Sequence, residues 1–329
     1  MNVELIAEIA QGYEGHPKLA ELLVKGALAA NADAIKIQLV YADELCVPEY
    51  EYFQLFRSLE MKDEVWEGLV RSIKAAGKKI YFDVYGEKSV NLAYKLKADG
   101  VKISTTDFYN VPLLKRASEL FDTIFISIGG VSAEEIDQLM NSQIKLPMNT
   151  ILMHGFQAEP TSTEDNNLRR IESLKNRYPQ CSIGFMDHSS GNNEYAYYLP
   201  MVAIGSGASY IEKHITLDYS LEIEDYISGL SVDRFKYFVS NVKHIEKSLG
   251  SKELDLNPKE IEYKKRAGKV VVAKNNILAG SIVKEKDLCL KRVTTKPTGT
   301  HFSKYNDVLG KKVIESISIN SPVSKNNLV

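Results

Sequence analysis

The sequence predicts an α/β fold of the TIM (β/α)8 barrel class, followed by a small β-rich domain. Eight short β-rich runs, each followed by a helical pattern, alternate through residues 1–250, as in such a barrel. No Gly-rich dinucleotide-binding turn follows the first run, which disfavours a doubly wound open sheet, the competing fold. We therefore assign residues 1–250 to a barrel domain, 251–268 to a linker and 269–329 to the small domain.

The predicted strands are short and mostly apolar, as expected when both faces of a strand are covered. They span residues 5–9, 34–39, 79–84, 101–103, 123–128, 150–153, 182–186 and 209–215. Amphipathic helices are expected at residues 18–30, 62–76, 87–97, 110–120, 133–140 and 168–178. Pro17 opens the first helix and Gly77 closes the second, which is the usual placement of these residues.

The composition indicates a soluble enzyme and excludes two classes of partner. Of the 329 residues, 44% are hydrophobic and 26% are charged, and a net charge of -2 offers no bulk attraction to nucleic acid or to an anionic membrane. The three cysteines form no CxxC motif or disulfide framework, which favours a reducing compartment. The first residues are too acidic for a signal peptide, and no run reaches the ~18 apolar residues of a membrane span. We expect a cytoplasmic protein.

The C-terminal part of the chain differs from the rest. Residues 251–266 are charged and contain Pro258, which is typical of a linker or an exposed arm. Short strand-like runs follow, with turns expected at Gly280, Pro297, Gly299 and Pro322. A β-rich unit of about sixty residues is marginally stable alone and would gain from docking elsewhere.

Polar residues at the ends of the predicted strands should converge on one mouth of the barrel, where the active sites of such folds lie. Every predicted strand delivers at least one. In strand order they are Glu8, Lys36 and Gln38, Asp83, Lys102 followed by Thr105 and Asp107, Ser127, His154 and Gln157, Asp187 and His188, and Glu212 and His214.

Two lysines within buried strands indicate an anion site. A buried lysine is costly unless it is paired or meets an anion. Lys36 and Lys102, together with Ser127, therefore predict a site for a phosphate or a carboxylate. The alternative is a buried lysine–carboxylate pair, either Lys36 with Asp83 or Lys102 with Asp107.

His188 and His214 follow neighbouring strands and could hold one metal ion between them. Either histidine alone would more often be an ordinary buried residue. The pair, each member flanked by acids, makes metal binding the favoured interpretation.

Five segments carry a resemblance to a known family. They are residues 7–9 (AEI), 32–38 (ADAIKIQ), 183–189 (IGFMDHS), 211–218 (IEKHITLD) and 271–329. In this order they resemble the sialic acid synthases, and residues 222–225 (EIED) resemble the pseudaminic acid branch of that family, which also includes legionaminic acid synthases. Residues 271–329 resemble the antifreeze-like (SAF) domain of these enzymes.

The resemblance implies a condensation of phosphoenolpyruvate with the open-chain aldehyde of an acylated amino sugar, with release of phosphate. A divalent metal, Mn2+ or Mg2+, would be held by His188 and His214, and Glu8 would act as an acid or base at the reacting centre. Phosphoenolpyruvate would contact Lys36, Lys102 and Ser127. Contacts to the sugar or to the rest of the substrate would come from Gln38, Thr105, Asp107, Gln157 and Asp225.

The resemblance also implies a domain-swapped homodimer, in which Arg292 from the small domain of one copy enters the barrel of the other. Several positions differ from the family pattern, and two of them concern the expected phosphate pocket. Asp83 and Met186 stand close to where hydroxyl donors to the phosphate are expected, which leaves open an altered sugar, a rearranged phosphate pocket, diverged chemistry, or a barrel that binds a sugar or an anion without catalysis. An aldolase or isomerase that uses the same metal is a further alternative, which the small domain with Arg292 disfavours.

Overall fold

The computed structural model describes residues 3–294 and 300–329. The chain divides into two compact units, Met1–Gly250 and Ser251–Val329. Pro297 and Gly299, which we predict as turn residues, lie outside the described residues.

The first unit contains a closed barrel of eight parallel strands. They are β1 (Glu4–Ala10), β2 (Ala34–Gln38), β3 (Lys79–Val84), β4 (Gly100–Ile103), β5 (Thr123–Ser127), β6 (Asn149–His154), β7 (Ser182–Asp187) and β8 (Tyr210–Thr216). Each strand pairs with the next, and β1 also pairs with β8, which closes the sheet. The short strand β9 (Leu230–Ser231) pairs with the end of β8. The TIM-barrel prediction is confirmed, and every predicted strand boundary lies within one residue of the observed one.

Helices connect the strands and cover the outside of the barrel. They are α1 (Pro17–Ala29), α2 (Ala42–Leu45), α3 (Phe53–Ser58), α4 (Asp63–Ala75), α5 (Glu87–Lys95), α6 (Val111–Leu120), α7 (Ala133–Met140), α8 (Arg169–Arg177), α9 (Tyr195–Gly205) and α10 (Val232–Ile245). Six of these match the predicted helices. Helix α9 was not predicted because it is apolar on all sides and contains Pro200, so it lacks an amphipathic period. None of the helices in the described ranges is long and apolar enough to cross a membrane.

Apolar side chains fill the lower part of the barrel interior and form what we call the plug: Ile6, Ala34, Tyr81, Phe125, Ile151, Met153 and Met186, with Tyr210 packed against them. The rings of Tyr81 and Tyr210 pack edge-on against Phe125, at centroid distances of 4.7 and 5.4 Å. Side chains alternate between the faces of a strand, so residues two positions after plug residues also point inward, above the plug. Met186 lies in the plug and is 1% exposed.

The second unit contains one more helix and a small sheet. Helix α11 (Pro258–Ala267) lies in the predicted linker, and none of its residues is buried. Asn257 caps it by accepting a hydrogen bond from the backbone N–H of Glu260. Strands β10 (Val270–Ala273) and β11 (Leu288–Lys291) pair in antiparallel fashion beside a small apolar core, which confirms the predicted β-rich domain.

Candidate active site

Five charged side chains meet inside the barrel above the plug, and we call them the charge cluster: Glu8, Lys36, Asp83, Lys102 and Glu212. All are buried, with no more than 6% of any residue exposed. Strand register sets Glu8 beside Lys36 and Asp83 beside Lys102, so acids and bases alternate around the mouth.

Both lysines of the charge cluster are paired with carboxylates. Lys36 Nζ contacts the carboxylates of Glu8 and Asp83 directly and lies 3.6 Å from Glu212 Oε1. Lys102 Nζ lies 2.6 Å from Glu212 Oε1 and 3.9 Å from Asp83 Oδ1. The alternative that pairs Lys36 with Asp83 is therefore observed. Asp83 would repel a phosphate if it stood alone, but here two ammonium groups balance its charge.

Burial and mutual repulsion set the protonation of the charge cluster. Burial raises the pKa of Glu8 to about 8, against the opposing effect of Lys36, and the charges of Glu212 and Asp83 add to the rise. Burial disfavours the charge on Lys36, but the surrounding carboxylates hold its pKa well above the usual value. At neutral pH the cluster therefore presents a protonated Glu8 beside a permanent ammonium group.

His188 and His214 lie together at the rim of this cluster. His188 directly follows β7 and His214 lies within β8, and their ring centroids are 5.3 Å apart. Burial lowers the pKa of His188 to about 4 and that of His214 well below its usual value. Both rings are thus neutral at neutral pH. Each also has a buried Nδ1 atom without a hydrogen-bond partner among the described residues, so the pair fits a metal ion.

Glu159 joins the two histidines, although the sequence prediction did not include it. It lies in the loop after β6, and its Oε1 atom is 3.8 Å from His214 Nε2. One potential ligand atom from each of Glu159, His188 and His214 lies within 4.8 Å of the others. The only hint in the sequence was an acid two positions after Gln157, a predicted site residue.

Asp225 forms a carboxyl pair with Glu159. Burial, the neighbouring Glu159 charge and a hydrogen bond between the two side chains raise the pKa of Asp225 to about 8. Burial also raises the pKa of Glu159. Two carboxyl groups in hydrogen-bond contact share a proton more readily than they ionise together.

A cavity of about 280 Å3 opens onto these groups. Eight predicted site residues line it: Glu8, Lys36, Gln38, Lys102, Gln157, His188, His214 and Asp225. The prediction missed the apolar lining residues Leu45 and Phe56, which belong to the unpredicted helices α2 and α3. It also left out Gln11, whose Nε2 donates to Gln38 Oε1 at 2.8 Å and so fixes that side chain.

Three other predicted site residues lie beside the cavity without lining it. The hydroxyls of Thr105 and Ser127 are 2.7 Å apart, and Gln157 Nε2 donates to Ser127 Oγ at 3.3 Å. Asp107 accepts a hydrogen bond from Asn110 Nδ2 at 2.9 Å. The alternative that pairs Asp107 with Lys102 is not observed, since Lys102 contacts other carboxylates.

Asp187 and Lys213 support the site from the outer side of the strands. Lys213 Nζ lies 3.0 Å from Asp187 Oδ2, and neither side chain is exposed. Asp187 Oδ1 accepts the backbone N–H of Ser189, and Lys213 Nζ donates to the Ser189 carbonyl. Asp187 thus anchors the turn that carries His188.

Arg292 lies in the second unit, directly after β11. It is exposed, and its Nε donates to the Ala267 carbonyl at 3.1 Å. Its predicted place in the barrel of a second copy stays a prediction.

Comparisons with known proteins agree with this architecture. Residues 23–254 match the NeuB family and residues 268–329 match the SAF domain. An uncharacterized protein of Methanocaldococcus jannaschii is 30% identical over 88% of this chain and 84% of its own length. Pseudaminic acid synthase of Campylobacter jejuni is 26% identical over 99% of this chain and 96% of its own. The crystal structure of N-acetylneuraminic acid synthetase from Leptospira borgpetersenii, in complex with citrate, is 28% identical, with a TM-score of 0.73 over 80% of this chain and 92% of that one. The chain therefore belongs to the NeuB family and carries a SAF domain at its C-terminal end.

Proposed function

We propose that this protein is a transferase that condenses phosphoenolpyruvate with the aldehyde of an acylated amino sugar, releasing phosphate and forming a nonulosonic acid. The observation that carries the proposal is the meeting of the charge cluster with His188 and His214 in one cavity at the barrel mouth. The synthase names of relatives that match most of the chain support the reaction class.

Carbon–carbon bond formation requires a proton donor. The enol carbon of phosphoenolpyruvate attacks the aldehyde carbon, and the aldehyde oxygen takes up a proton and becomes a hydroxyl. Glu8 is the donor that fits, because burial raises its pKa to about 8 and it lines the cavity. A divalent cation, Mn2+ or Mg2+, held by His188 and His214 would supply Lewis-acid polarisation of the aldehyde.

Phosphate release requires water. Water adds to the carbon that bears the phosphate ester, and its proton returns to Glu8, which is thereby reset. The carbon–oxygen bond to phosphate then breaks, and the new hydroxyl gives its proton to the departing phosphate as it becomes a ketone. One phosphoenolpyruvate, one aldehyde and one water thus give one 2-keto acid and one phosphate.

The other predicted residues hold the two substrates. Lys36 and Lys102 offer fixed positive charge to the carboxylate and phosphate of the donor, next to the hydroxyl of Ser127. Gln38, Gln157 and Asp225 line the cavity and can bind sugar hydroxyls. Thr105 and Asp107 lie beside it.

The reaction can be tested by measuring phosphate release from phosphoenolpyruvate with a panel of acylated amino-hexoses. We expect release only when the donor, one sugar and Mn2+ or Mg2+ are all present. Absence of release with any amino-sugar or pentose aldehyde in metal-replete buffer would overturn the proposal.

A barrel that binds a sugar without turnover is the second candidate. The observation in its favour is that the carboxylates of Asp83 and Glu212 already balance the charges of both lysines of the charge cluster. Calorimetry separates the two candidates, because tight binding of phosphoenolpyruvate is expected only of the synthase.

The proposal includes the domain-swapped homodimer. Its test is a mixture of two variants that are each expected to be inactive, His214→Ala and Arg292→Ala. In a mixed dimer, one active site would combine the intact barrel of the Arg292→Ala copy with the intact Arg292 of the His214→Ala copy. We expect the mixture to regain part of the wild-type rate. Sedimentation of the wild type as a monomer would contradict this assembly.

A further inference from the structure

We propose that Glu159 is a third protein ligand of the metal, so that the site has two imidazoles and one carboxylate. The inference rests on the proposed metal site at His188 and His214 and extends it to a residue from another strand loop. Glu159 Oε1 lies 3.8 Å from His214 Nε2, too far for a hydrogen bond but suitable for two groups that share an ion.

The donor atoms have the spacing that a metal ion requires. Metal–ligand bonds of roughly 2.0–2.3 Å place two ligand atoms of one ion about 3–4.5 Å apart. One atom each from Glu159, His188 and His214 lies within 4.8 Å of the others, so small side-chain shifts would bring all three onto one ion.

The loop that carries Glu159 is tied to His188. The backbone N–H of Thr161 donates to the His188 carbonyl at 2.9 Å. The Thr161 hydroxyl also bonds the carbonyls of Phe156 and Ala158, at 2.9 and 2.7 Å. These bonds fix the backbone on both sides of Glu159 relative to His188. A carboxylate held in this way is preorganised as a ligand, unlike a surface acid that happens to lie close by.

Burial differs among the three groups in a way that suits an open metal site. The two histidines are 9% and 6% exposed, whereas the Glu159 side chain is 31% exposed. The carboxylate thus lies on the solvent side of the imidazoles, next to the cavity. Three protein ligands on one side of an ion leave its other positions free for substrate oxygens.

The donor set also indicates which ions would bind. Two imidazoles and one carboxylate suit Mn2+, Fe2+ or Co2+, whereas Mg2+ prefers oxygen ligands. We therefore expect the full-length protein to bind Mn2+ and Co2+ in preference to Mg2+.

The test is direct metal binding by metal-free full-length protein, with Mn2+ measured by calorimetry and Co2+ by its visible absorption spectrum. Glu159→Gln should weaken Mn2+ binding about tenfold or more and change the Co2+ spectrum. Glu164→Gln, in an exposed position of the same loop, is the matched control and should bind Mn2+ as the wild type does. Equal thermal unfolding midpoints of the metal-free proteins would show that both variants fold.

Two further variants separate ligation from other roles. Asp225→Asn removes a second carboxyl group from the cavity but keeps a hydrogen-bonding side chain beside Glu159, so it should change the Co2+ spectrum less than Glu159→Gln does. Wild-type Mn2+ affinity in Glu159→Gln, combined with loss of Mn2+ binding in His214→Ala, would overturn the role of Glu159 alone. Retention of Mn2+ by His214→Ala would instead overturn the metal site of the proposed function.

Discussion

Lys102 and Glu212 lie on strands β4 and β8, which do not pair with each other, yet Lys102 Nζ and Glu212 Oε1 are 2.6 Å apart across the barrel interior. The contact joins residues 110 positions apart in the chain. Closure of the barrel therefore also brings each buried charge next to an opposite charge, which offsets the free-energy cost of burying it.

Lys102→Met should destabilise the protein by about 3 kcal/mol at pH 8, because Glu212 and Asp83 would lose a buried cation. The loss should be smaller at pH 6, where the carboxylates left behind can take up a proton. Urea unfolding at the two pH values measures both effects.

Lys95→Met is the matched control for that substitution. Lys95 is 61% exposed and lies 3.4 Å from Asp63, and surface pairs of this kind contribute less than about 1 kcal/mol. The double variant Lys102→Met/Glu212→Gln should recover part of the stability lost in Lys102→Met. An equal effect of the Lys95 and Lys102 substitutions would contradict the paired arrangement of the charge cluster.

The stability of the protein should fall as the pH rises from about 7 to 8, where unfolded histidines have largely released their protons. Burial raises the pKa values of Glu8 and Asp225 to about 8, so over this range the folded state holds protons that the unfolded state has already released. Each group then contributes a slope of up to about -1.4 kcal/mol per pH unit. Glu8→Gln should flatten the profile in urea unfolding, and an unchanged slope would rule out a raised pKa at Glu8.

The strands and the inward residues could be predicted from the sequence because they follow local rules. Apolar runs mark buried parallel strands, and alternation along a strand places Lys36 on the same face as Ala34. The partner of the Lys36 ammonium group could not be predicted from the neighbouring sequence. Whether it meets an anion or a carboxylate depends on Asp83 from the next strand and on Glu8 from the preceding one.

The contacts of the loop residues of the site could not be predicted either, because they also depend on residues far away in the sequence. Glu159 and Asp225 belong to different loops, and only the closed barrel brings their carboxyl groups into contact. Helices α2 and α3, which carry Leu45 and Phe56 to the cavity, are four and six residues long and too short for a clear helical period.

His214→Ala should abolish both metal binding and phosphate release, because the one imidazole and one carboxylate left at the site would hold the ion too weakly. Metal content after gel filtration and the phosphate-release assay test the two losses together. His244→Ala is the control, since His244 is exposed on α10 and should leave both measurements unchanged. Full metal stoichiometry in His214→Ala would refute the assignment of this ligand.

Asp187→Asn should cost about 3 kcal/mol of stability and also weaken metal binding. The substitution leaves Lys213 with an unexposed ammonium group and no carboxylate partner, and it loosens the turn that carries His188. Asp137→Asn is the control, because Asp137 and Arg177 form a pair whose side chains are 36% and 52% exposed, and its loss should change the stability far less than Asp187→Asn does. Unfolding and Mn2+ titration distinguish the two contributions of Asp187. Loss of stability with unchanged Mn2+ affinity would show that Asp187 acts only in folding, whereas loss of both would show that this buried pair also positions His188.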